Sequence, residues 1–223
     1  MIADALASVR DRIERAARAA QRDPASITLV AVSKTKPPAA VREAYAAGQR
    51  DFGENYAQEM AQKAEELGDL PEIRWHFIGH LQSNKAKVVA RVASVVHTVD
   101  TASLAKELGK RAAKERAEPL SVLVEVNVGG EAQKHGASPS GLGEVLDAIA
   151  KEPSLALRGL MTMPPHDLIA ARSAFDALVS LRNLHGGRAR MPDLSMGMSD
   201  DLEIAIACGA TIVRVGTAIF GAR

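Results

Sequence analysis

The sequence predicts a (β/α)8 TIM barrel: one α/β domain over residues 1–223 with an extra helix at its N-terminus. Three observations carry that prediction. Eight strand-length segments alternate with helical ones along 223 residues, the span such barrels occupy. Several strands are apolar on both faces, as in Val122-Leu123-Val124, which is how strands covered by helices read. No two strands are joined by a two-residue turn, so hairpins are absent and parallel pairing follows. A doubly wound open sheet also alternates strands and helices, but it uses five or six strands and a glycine-rich first turn. The first turn here, Ser33-Lys34-Thr35-Lys36-Pro37, holds no glycine.

The elements follow in order. Ile2, Leu6, Val9, Ile13 and Ala16 or Ala17 recur at spacings of three and four, one apolar stripe on an amphipathic helix that stops before Pro24. Ile27–Lys34 is the first strand, and Pro37-Pro38 opens a helix that ends at Gly48. Further strands are expected at Asp51–Asn55, Arg74–Gly79, Val95–Asp100, Ser121–Val128, Leu155–Met163, Asp193–Gly197 and Thr211–Gly216. Helices are expected between them at Tyr56–Leu67, Asn84–Val92, Ala102–Arg116, Gly141–Lys151, Leu168–Leu184 and Asp201–Cys208. The chain stops just after the eighth strand, so the opening helix is expected to fill the place of the missing last one.

Composition narrows the function. Lys plus Arg number 28 and Asp plus Glu 27, a net charge of +1, so no field exists for nucleic acid or an anionic membrane to feel. Aromatic residues are only 3%, too few for a base-stacking surface. One cysteine, Cys208, cannot form an internal disulfide and fits a reducing compartment. No apolar run reaches the length of a membrane span and no signal peptide opens the chain, so a cytoplasmic protein is expected. The six histidines lack zinc-protease spacing, and no phosphate-loop, dinucleotide or serine-hydrolase motif occurs; no metal is expected.

In a barrel the chemistry sits at the carboxyl ends of the strands. Those ends carry Lys34, Asn55, His76 with His80, Asp100, Asn127, Met161 with Met163, Ser199, and Arg214 with Gly216 and Thr217. Strand alternation puts Lys34 on one face with Val30 and Val32; if that face is the interior, its amine emerges beside low-dielectric walls that favour attack on a carbonyl. Lys36, past the strand, reads as a surface group. Arg214 lies inside an apolar strand and needs an acceptor, either a ligand atom or a structural partner such as Glu125. Gly216 and Thr217 after strand eight, with Ser199 as N-cap of the helix after strand seven, fit the place where barrels cradle phosphates. Asp200 and Asp201 oppose that use unless they turn away. Met161, Met163 and Cys208 read as packing.

Five segments carry a resemblance: Ala31-Val32-Ser33-Lys34-Thr35-Lys36-Pro37, Phe52-Gly53-Glu54-Asn55-Tyr56, Trp75–Lys85, Leu194–Ser199 and Val213–Gly221. In order and over essentially the whole chain, they are similar to the pyridoxal phosphate homeostasis family, which shares the fold-type III barrel of the alanine racemase N-terminal domain. The resemblance implies pyridoxal 5′-phosphate (PLP) as cofactor, held as a Schiff base on Lys34. It places the phosphate on Ser199, Gly216 and Thr217, Arg214 against the pyridine nitrogen, and Asn55 as a further contact. An arginine cannot accept the pyridinium proton, so the ring stays neutral and a weak electron sink. Related racemases add a β-domain that helps build their site; here no second acid/base has an obvious source. A monomeric PLP carrier without catalytic activity is therefore expected, with apo-PLP-enzymes as recipients. A PLP-dependent racemase or lyase and a Schiff-base aldolase are the rivals. The segment Glu131–Gly136 departs from the family pattern at His135, which leaves open any role for Lys134.

Overall fold

The computed structural model describes residues 1–131 and 134–221. Ala132 and Gln133, inside the His135 segment, and Ala222 and Arg223 lie outside the described residues. The chain opens with helix α1 (Ile2–Ala19) and alternates thereafter: β1 (Thr28–Val32), α2 (Pro38–Ala46), β2 (Asp51–Glu54), α3 (Ala57–Glu66), β3 (Arg74–Phe77), α4 (Ala86–Val92), β4 (Val95–Val99) and α5 (Ala102–Glu115). The second half runs β5 (Leu120–Glu125), α6 (Leu142–Ala150), β6 (Leu155–Met161), α7 (Leu168–Leu184), α8 (Gly187–Arg190), β7 (Asp193–Ser195), α9 (Leu202–Ala207), β8 (Ile212–Val215) and α10 (Thr217–Phe220). The strands form a closed barrel in sequence order, each parallel to its neighbours, with β1 sealed against β8 from Thr28↔Ile212 to Ala31↔Val215. Among the described residues no helix is long and apolar enough to cross a membrane.

Alternation along the strands sorts residues into two cores. Outward residues such as Phe52, Trp75, Phe77, Val122 and Val124 pack beneath the helices in one large cluster. Inward residues Val30, Leu123, Met161 and Ile212 form a small apolar cluster inside the ring. Two bulges, between Val96 and Val99 in β4 and at Val122/Leu123 against β6, adjust which residues turn inward.

Helix α1 does take the place left by a short final helix. Its stripe Leu6, Val9, Ile13 and Ala17 is buried, and it packs against α2, α9 and the four-residue α10. The strands are mostly shorter than their apolar runs suggest, because the residues at their carboxyl ends leave the ladder for the rim. Lys34, Asn55, Gly79, Asp100, Met163, Gly197 and Gly216 all lie just past a strand.

Candidate functional site

The six residues singled out at the strand ends converge. Lys34, Asn55, Ser199, Arg214, Gly216 and Thr217 all line one cavity of about 520 Å³ at the carboxyl rim, together with Val32, Ile78, Met198 and Ala218. Lys36 and Lys134 are not among its lining residues.

Each wall has a local cause. The Ser33 carbonyl, just before Lys34, accepts from Lys63 Nζ at 2.7 Å, and Ser33 Oγ donates to Glu54 Oε1 at 2.7 Å. Lys63 also pairs with Glu54 and Glu59, so a buried cation on α3 fixes the end of β1 from behind. The turn without glycine is bought by strain: Thr35 sits at φ +64°, a region a β-branched residue rarely occupies. Its N–H donates to Glu59 Oε1 at 2.6 Å, which helps hold it there. Asn55 is positioned by Gly79, where a Cβ would fall 2.1 Å from the Asn55 carbonyl oxygen; only glycine lets the end of β3 lie that close. Gly216 is likewise pressed on β1, its missing Cβ 3.2 Å from the Val32 carbonyl oxygen.

Arg214 is buried in the barrel interior, and its partner is not Glu125. Its Nη1 donates to Ser195 Oγ at 2.6 Å and its Nη2 to the Thr162 carbonyl at 3.0 Å, with Met163 Sδ at 3.2 Å. Burial lowers the guanidinium to about 10, while Glu125 and Asp201 pull it up; it remains charged at neutral pH. Glu125, inward at the end of β5, is pushed up to about 7 by burial and by Asp100, against the pull of Arg214.

Ser199 does not cap a helix. Asp201 occupies that position, turned inward with its carboxylate accepting from the Met198 N–H at 2.5 Å. That removes one of the two acids from the cavity; Asp200 stays exposed on its wall. Met163 is a wall residue too, and not simply rim packing. Cys208 is half-buried at the end of α9, its thiol pushed up to about 11 by burial and Asp176, so the reactive thiolate is disfavoured.

Two further wall residues escaped the sequence reading. Arg12 crosses from α1: its Nη2 donates to the Ser199 carbonyl at 2.8 Å, and its Nε to Glu203 at 2.7 Å. His166, in the loop after β6, adds an imidazole to the cavity. The sequence offered no signal for either, since helix polarity marks Arg12 as solvent-facing and His166 lies outside every strand. At the rim, His80, Asp100 and His135 also gather, with ligand atoms within 4.8 Å of one another. The two rings stack face to face at 3.8 Å and 11°, so their in-plane lone pairs run side by side and do not converge on an ion. Lys134 is drawn instead to Glu131 at 2.5 Å and to the Pro164 carbonyl at 3.2 Å.

Lys34 from the end of β1 thus shares one cavity with Arg214, Gly216 and Thr217 from the end of β8, at the carboxyl mouth of a closed parallel barrel. The sequence profile described as "Alanine racemase, N-terminal domain" matches residues 5–223. Proteins named pyridoxal phosphate homeostasis protein are similar over the full chain: 51% identical in Pseudomonas aeruginosa, covering 96% of that protein, and 46% in Escherichia coli, covering 97%. The solved structure of PipY from Synechococcus elongatus with PLP bound superposes with a TM-score of 0.84 at 38% identity, covering 99% of this chain and 100% of that one. The chain belongs to the pyridoxal phosphate homeostasis protein family.

Proposed function

We propose that this protein binds PLP in the rim cavity and serves intracellular PLP homeostasis, attaching the cofactor as a Schiff base on Lys34 and supplying or buffering it. The observation that carries the reading is the meeting of Lys34 from one side of the barrel seam with Arg214, Gly216 and Thr217 from the other, in one cavity with Ser199. The fit is chemical as well as spatial. The volume of about 520 Å³ lies in the range of small cofactor sites. The amide oxygen of Asn55 is buried with no hydrogen-bond partner, an acceptor that a ligand donor would satisfy. Lys34 supplies the nucleophile for an aldehyde, Ser199 and Thr217 supply hydroxyls for a phosphate, and Arg214 supplies a donor that cannot take a proton from the ring nitrogen. Bound PLP would supply an electrophilic ring, and against Arg214 a weak electron sink.

One observation favours the second reading, a racemase or lyase: His166 stands in the cavity wall and could serve as an acid/base partner to Lys34. A two-arm experiment separates the two. Borohydride reduction of the loaded protein followed by mass spectrometry should place the pyridoxyl adduct on Lys34; an adduct chiefly on Lys36 or Lys134 overturns the assignment. Incubation with single amino acids in deuterium oxide should leave the α-hydrogen in place, while mixing with an apo-PLP-enzyme should restore its activity. α-Exchange near the ~10 s⁻¹ typical of enzymes would reject the carrier.

A further inference from the structure

Apolar and polar side chains share the barrel interior. Threaded past the Val30 cluster, which neighbours Arg214 through the β1–β8 pairing, the buried side chains of Asp51, His76, His97, Ser195 and Arg214 make one unbroken line. Arg214 Nη1 is 2.6 Å from Ser195 Oγ, which is 2.8 Å from His97 Nδ1. His97 Nε2 is 2.9 Å from His76 Nδ1, and His76 Nε2 is 2.9 Å from Asp51 Oδ1. The β4 bulge between Val96 and Val99 carries His97 and frees Thr98 to hold the Gly79 carbonyl at 2.6 Å. Arg74 clamps Asp51 through Nε at 2.7 Å and Nη2 at 2.5 Å. The line therefore crosses the barrel from the cofactor rim to the opposite end, where Asp51 and Arg74 border a second cavity of about 470 Å³.

The placement of protons along this line follows from its carboxylate end when both rings are neutral. Asp51 only accepts, so His76 donates to it from Nε2, and the bare His76 Nδ1 accepts from His97 Nε2. The bare His97 Nδ1 then accepts the Ser195 hydroxyl proton, while Ser195 Oγ accepts from Arg214 Nη1. Burial, with the charge of Arg214 nearby, holds His97 well below the ordinary imidazole value, which keeps it neutral. At the far end burial raises the Asp51 carboxyl, but Arg74 and His76 outweigh it and hold it at about 2, an ionised terminal acceptor.

We propose that Asp51, His76, His97 and Ser195 are positioning residues, a chain whose donors all point from Arg214 toward Asp51 and which presents the guanidinium to the cofactor ring in one fixed orientation. Its consequence for the cofactor rests on the assignment of Arg214 to the ring nitrogen; the chain itself is a property of the ligand-free protein. Nitrogen-15 NMR of histidine-labelled apo-protein should show both His76 and His97 protonated on Nε2 and bare on Nδ1, and either ring in the Nδ1–H tautomer overturns the proposal. His97→Gln keeps one acceptor and one donor, and should bind PLP within about threefold of wild type. His97→Leu removes both and should weaken binding about tenfold or more, the effect of disturbing a hydrogen bond to a charged group. Equal affinities of the two folded variants would refute positioning, and if His97→Leu does not fold, Ser195→Ala, which removes the link between Arg214 and His97, takes its place in the comparison. Should Arg214→Leu bind PLP as wild type does while both tautomers hold, the ring-nitrogen assignment and the positioning role both fail, and the chain remains structural.

Discussion

At the scale of single residues the barrel mouth is set by charges in unusual places. Glu125 is the clearest case, an inward carboxyl at the end of β5 held near 7 by burial and Asp100. In the unfolded chain a glutamate ionises near 4.5, so between that value and about 7 the unfolded state gives up its proton first. Glu125 therefore costs nothing below 4.5, destabilises the fold progressively as pH rises toward 7, and levels off above it. Glu125→Gln should gain stability over wild type across that window, reaching at most about 3 kcal/mol at pH 8. Urea unfolding at a series of pH values reads this directly, and a difference that shrinks with rising pH would contradict it. Lys34 and Arg214 were legible because each breaks the apolar alternation of a strand. Arg12 and the histidine line were not, since their partners come from elements remote in sequence.

At the scale of elements, α1 has two separable roles. Leu6 on its apolar stripe is fully buried against the barrel, whereas Arg12 on the flank of the stripe reaches Ser199 and Glu203. Leu6→Ala should cost about 2–5 kcal/mol in denaturant unfolding, the usual range for a buried leucine, with little change in PLP affinity. Arg12→Met keeps the packing stem and removes the clamp, so it should lower PLP affinity more than stability. A shared effect in both variants would mean that α1 acts only as a structural wedge. Every strand and all but the shortest helices were legible, because two-faced apolar runs and helical stripes carry their own period. The ends were read too long: Ser121–Val128 stops at Glu125 and Leu155–Met163 at Met161, since rim residues keep an apolar character after leaving the ladder. The α9 cap was misassigned because Ser199-Asp200-Asp201 offers three cap-forming residues in a row, and which one turns inward is decided by the Met198 amide.

For the whole molecule, a ligand that binds only the folded barrel must stabilise it. PLP at a hundred times its dissociation constant should add about 2.7 kcal/mol, seen as a melting temperature that climbs with PLP concentration. In Lys34→Ala that climb should shrink in proportion to the lost affinity; an undiminished climb would mean that PLP acts elsewhere. The architecture was legible from strand count and parallel pairing, but closure was an inference, and it is closure that makes the site. The β1–β8 seam joins segments far apart in sequence, the slowest kind of contact for a chain to find. Lys34 and Arg214 stand on either side of that seam. While the ring is open the two walls of the proposed site are apart, so PLP attached to the protein at successive times of refolding, counted after removal of the free cofactor, would follow the shutting of the ring.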